Sequence, residues 1–131
     1  MSIVADAIFC DDIRQEITGK FLFVGVYPGD LVPGVIPSTF PMAMMLRVHG
    51  LGKGAHEFDF ALTSPSGQRI LEQKDIAEVG DPKTPLVLIF SGFPMTVEQP
   101  GDIVATINVA GRELIATKLN VAAAKSDLAS Q

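Results

Sequence analysis

From His56 to Thr63 the apolar side chains of Phe58, Phe60 and Leu62 alternate with Glu57, Asp59 and Ala61. A period of two predicts a strand with one buried row and one wet row. Ile103, Ala105, Ile107 and Val109 repeat the pattern, and after Ala110-Gly111-Arg112 it continues through Ile115, Thr117, Leu119 and Val121, which predicts a hairpin. Lys20 to Tyr27 and Leu86 to Phe93 are apolar on both faces. Such runs are expected at sheet centres, or where a strand's outer face meets another chain. Further strands are expected at Ile3 to Phe9, Pro41 to His49, Gln68 to Glu78 and Met95 to Glu98.

Gly and Pro punctuate these runs at short intervals, and about eight or nine strands of this kind predict an all-β, two-sheet antiparallel β-sandwich of immunoglobulin-like or jelly-roll Greek-key type. Pro28, Pro33, Pro37 and Pro41 exclude a central strand between them, so that segment is expected to be a long crossover between the sheets. With 131 residues and no repeat or linker the chain reads as one domain, residues 1–121, with a mobile tail over 122–131.

The hydrophobic content of 47% leaves two readings, a sandwich with both inner faces filled or an apolar patch that an oligomer covers. No apolar run approaches the roughly 18 residues of a membrane span, so no membrane partner is expected. Fifteen acidic against 10 basic residues, a net charge of −5, no basic cluster and no Trp argue against nucleic acid. Cys10 has no second cysteine to pair with, and MSIVADAIFCDD lacks a secretory pattern; the cytoplasm is the expected compartment.

Cys10-Asp11-Asp12, Arg14, Glu16, Gly19-Lys20 and Val24-Gly25-Val26-Tyr27 are similar to the opening of a family of small bacterial proteins of unknown function. Weaker similarity extends to the turns Ser64 to Gly67 and Gln99 to Asp102. The resemblance implies a bacterial β-protein and brings no activity with it.

Each candidate for chemistry has a plainer reading beside it. Asp11, Asp12 and Glu16 could gather a hard cation, but they lack EF-hand spacing and have Arg14 and Lys20 among them, which favours a solvated turn. Asp30 and Asp102 each end a Pro-Gly-Asp triplet, a turn signal before it is a calcium site. His49 and His56 flank a glycine-rich loop and could face each other on paired strands with Cys10 nearby, an unspecific zinc pattern. Gly50-Leu51-Gly52-Lys53-Gly54 lacks the spacing and the Ser or Thr of a phosphate loop. Ser66 and Ser91 follow no nucleophile-elbow pattern.

No catalytic residue, metal ligand or cofactor is therefore assigned, and the chain is expected not to be an enzyme. A binding or assembly module that self-associates as a homo-oligomer or docks a protein partner is the favoured reading. Phe21, Phe23, Tyr27, Met42 and Met44 are its candidate partner-binding residues; the alternative is a metal or small ligand held in the acidic loops.

Overall fold

A computed structural model describes residues 2–122. It contains β1 (Val4–Gln15), β2 (Phe21–Val26), β3 (Asp30–Leu31), β4 (Ser38–His49), β5 (Gly54–Thr63), β6 (Arg69–Val79), β7 (Leu86–Val97), β8 (Gly101–Val109) and β9 (Arg112–Val121). No helix occurs among the described residues. One sheet has the order β2-β1-β4-β7 and the other β3-β9-β8-β5-β6. Every pairing is antiparallel except that of the short β3 with β9.

β1, β4 and β7 stand where strands A, B and E of an immunoglobulin-like sandwich stand, β5, β8 and β9 where C, F and G do, and β6 where C′ does. The connectivity is thus the immunoglobulin-like one of the two Greek keys anticipated. The β8–β9 hairpin closes through Ala110 (φ 53°) and Gly111 (φ 75°), the two left-handed residues that a tight two-residue turn requires.

The core lies between the sheets. Met42, Met44, Leu46 and Val48 of β4 and Phe93, Met95 and Val97 of β7 face Phe58, Phe60 and Leu62 of β5 and Ile103, Ala105 and Ile107 of β8. Phe60 stacks on Phe90 of the opposite sheet, with ring centroids 4.9 Å apart and planes 16° from parallel. At one side the sheets close in, β1 reaching Cα separations within 8 Å of β9. Packed sheets usually stand about 10 Å apart; here Ala5 and Ala7 of β1, packed against the core, take little room.

Three expectations are corrected. β1 does not stop at Phe9 but runs to Gln15, because Cys10 to Gln15 pair with β2. Leu86 to Phe93 and Met95 to Glu98 are one strand, β7, kept continuous by a bulge in which Ser91 and Gly92 (φ 72°) together oppose Ala43. The runs apolar on both faces are not sheet centres: β2 and β7 are the two edges of the four-stranded sheet. The proline-rich crossover leaves β2, adds β3 to the five-stranded sheet and returns as β4. Of the expected tail, the Ala122 N–H donates to the Leu31 carbonyl, while 123–131 lie outside the described residues.

Candidate functional site

β1 and β4 pair from Val4↔His49 to Cys10↔Ala43 and then part. From Asp12 onward β1 keeps only β2, with Asp12↔Val24, Ile13↔Phe23, Arg14↔Leu22 and Gln15↔Phe21 opposed. Freed from β4, this hairpin bends over the outer face of the four-stranded sheet. Ile13 and Phe23 pack there on Cys10, Ala43, Met45 and Ile89, forming a second small apolar cluster apart from the main core. Under that roof Cys10 and Ala43 are fully buried although they point away from the sandwich interior. The Ser91 hydroxyl, in the bulge of β7, donates to Asp12 Oδ1 and to the Ile13 carbonyl, both at 3.4 Å.

The hairpin is held by its own chemistry. Glu16 N–H donates to the Lys20 carbonyl at 2.7 Å, and Gly19 (φ 91°) turns the chain. Gly25 (φ 68°) sits beneath Asp11, whose carboxylate occupies the space a Cβ would need. Tyr27 donates its hydroxyl to Asp11 Oδ1 at 2.9 Å, and its backbone N–H to the Phe9 carbonyl. Asp12 pairs with Arg14 at 2.7 Å, and this contact holds the Asp12 carboxyl below the ordinary carboxylate range.

Burial, then the hydrogen bond to Asp11 and its negative charge, push the Tyr27 phenol up from 10.0 to about 12. The chain has one Tyr and no Trp, so absorbance near the phenolate band reports this group alone. Because the folded state holds the proton more tightly than the unfolded state, the stability it contributes is complete below pH 10 and lost as pH rises towards 12. Phenolate absorbance titration should show one midpoint near 12, moving down in Asp11→Asn; a midpoint near 10 in the intact protein would contradict this geometry.

On β2, Phe23 turns inward onto the second cluster; just past the strand, Tyr27 is half-buried against the main core. Phe21 is exposed. Met42 and Met44 have no exposed surface: both fill the inner face of β4, which removes them from any docking surface. The residues that are open are Leu22, Val24 and Val26, exposed by 45 to 53%, with Ile17 fully out at the tip. They were missed because aromatic and Met side chains were favoured as anchors; the signal was the lack of any polar side chain between Lys20 and Tyr27.

The sheet edges are not alike. β7 carries the Ser91–Gly92 bulge and Pro94. β6 carries Arg69, Glu72, Lys74, Asp75 and Glu78, and β3 has two residues. Bulges, prolines, charges and shortness each discourage pairing with another chain. β2 carries no charge and no proline, and it keeps one register along β1 from Phe21↔Gln15 to Val26↔Cys10.

The other candidates disperse. His49 and His56 belong to different sheets; His49 Nε2 lies 3.9 Å from Asp6, and His56 Nε2 lies 2.6 Å from the Gly52 carbonyl. The Ser64 and Ser66 hydroxyls bond each other. Asp30 and Asp102 share a row, each beside Asn120 of β9, and the Asn120 amide lies between them, its Nδ2–H donating to Asp102 Oδ1 at 3.2 Å. Among the described residues no three His, Cys, Asp or Glu side chains converge on a metal-binding point, and no helix is long and apolar enough to cross a membrane.

A family model described as "Family of unknown function (DUF6941)" matches residues 5–122, which takes in all nine strands save the first residue of β1. No curated protein matches the chain.

Proposed function

This chain belongs to that family of unknown function, and from this premise we propose that it is a non-catalytic binding and assembly module that meets its protein partner along β2. The observation behind the proposal is a six-residue edge strand, uncharged and half-exposed, on a hairpin that stands clear of the sandwich core. An open edge offers backbone donors and acceptors to an added strand, and its side chains supply the specificity. A cation in the acidic loops has weaker support, since Arg14 already neutralises Asp12 and Asp11 is taken up by Tyr27. Work in the cytoplasm belongs to the same proposal; a single buried thiol suits a reducing compartment.

A photo-crosslinking phenylalanine analogue placed at Val24 in cells should give protein adducts, whereas the same group at Glu72, exposed on the charged β6 edge, should give none. Absence of any adduct at position 24 would overturn the proposal.

A further inference from the structure

We propose that the β1–β2 hairpin is a flap that pivots as one piece about Asp11 and Gly25, uncovering an apolar floor of Cys10, Ala43, Met45 and Ile89. Three observations place the pivot. Residues three apart point to opposite faces of a regular strand, yet Cys10 and Ile13 both belong to the cluster outside the sandwich, so β1 turns over between them. The pairs on either side, Cys10↔Val26 and Asp12↔Val24, set Gly25 opposite Asp11. Gly25 has φ 68°, a conformation that glycine adopts at low cost. Cys10↔Ala43 is also the last pair of β1 with β4, so the bend comes where support from the sheet ends.

Little holds the flap shut. Beyond Cys10, β1 pairs with β2 alone among the described residues. The hairpin meets the sheet through Ile13 and Phe23, of which Phe23 is only partly buried, and through three weak polar contacts. The Ser91 hydroxyl lies 3.4 Å from both of its acceptors, and the Cys10 thiol 3.4 Å from the Asp12 carbonyl. The O–H···O distances exceed the usual 2.5–3.0 Å. The pivot itself is firm, because Tyr27 rests on the main core and holds Asp11, whose carboxylate fills the space over Gly25. Lifting the flap therefore breaks no strand pairing and leaves both sheets intact. Segments secured by few apolar contacts open at lower free energy than the whole fold. Once uncovered, the small, fully buried Cys10 and Ala43 join the half-buried Met45 and Ile89 in one apolar face.

The test follows Cys10 labelling by an aromatic disulfide reagent in a urea series below the unfolding transition. A pivoting flap exposes little surface, so the rate should be almost independent of urea; a slope equal to that of global unfolding would overturn the proposal. A second measurement separates swinging from fraying. Arg14 and Leu22 are exposed and opposed, and antiparallel pairs stand at Cα separations that a disulfide spans. Oxidised Arg14→Cys/Leu22→Cys staples the two strands together but leaves the pivot free. Its Cys10 should label within about threefold of an Arg14→Ser/Leu22→Ser control, the range that surface substitutions span. Slowing by about tenfold or more would show that the strands must separate, and the flap would be refuted. Circular dichroism checks the fold of both variants, and the urea series needs neither. Both measurements use the free chain, so their failure leaves docking along β2 standing, and absence of adducts at position 24 leaves the flap.

Discussion

Replacing Phe60 with alanine is expected to lower the free energy of unfolding by about 4 kcal/mol, near the middle of the range for a buried Phe, and the melting temperature by roughly 10 to 20 °C. Phe60 lies near the middle of β5, paired with Gln73 of β6 and Ile107 of β8, and has no exposed surface. Its ring is also the contact through which the five-stranded sheet meets Phe90 of β7. Truncation removes the apolar transfer energy, the ring contact and the filling of a space that two sheets of fixed register cannot close. Phe90 is only partly buried, so Phe90→Ala should cost less, its site being open to water. Phe60→Leu, which keeps most of the volume, should cost under about 1.5 kcal/mol. Urea denaturation followed by circular dichroism gives all three values; a loss for Phe60→Ala no larger than for Phe60→Leu would show that this pair is not central to the core.

Phe60 was legible in the sequence because β5 keeps its alternation without interruption, and the inward rows of β5 and β8 are the ones the pattern named. The Greek-key crossover was legible too, since prolines exclude what lies around them. The edges were not. An apolar run such as Leu86 to Phe93 looks like a buried central strand, yet β7 ends its sheet, and its outer residues Val87 and Ile89 face the hairpin side or solvent. Hydrophobicity reports burial by whatever covers the strand, and a local sequence pattern does not say what does.

The hairpin shows the same limit in the opposite direction. Its charged residues suggested a solvated turn from Cys10 onward, but Arg14 and Asp12 lie on one side of a strand whose other side, through Ile13, closes over Cys10 and Ala43. Strand pairing with β2 and the parting of β1 from β4 at Ala43 are non-local facts. So is the burial of Met42 and Met44: whether the face of β4 that they share meets a core or a partner depends on the opposite sheet.

Ile13 therefore becomes the residue through which the hairpin can be tested. Ile13→Ala is expected to destabilise the roof by about 2 kcal/mol, the low end for a buried Ile because 8% of it reaches solvent. Cys10 reports the opening directly. In the intact protein its thiol has no accessible surface, and burial raises its pKa, so an aromatic disulfide reagent reacts only when the structure opens. If the hairpin lifts as a local unit, Ile13→Ala should speed labelling roughly thirtyfold, the equilibrium equivalent of about 2 kcal/mol. Phe60→Ala, though the costlier change to the whole fold, should then speed it less. If Cys10 is reached only through global unfolding, the order reverses and Phe60→Ala gives the faster labelling. The first order would identify β1–β2 as a unit that moves independently of the sandwich, in which case the β2 edge can align with an added strand without disturbing the core.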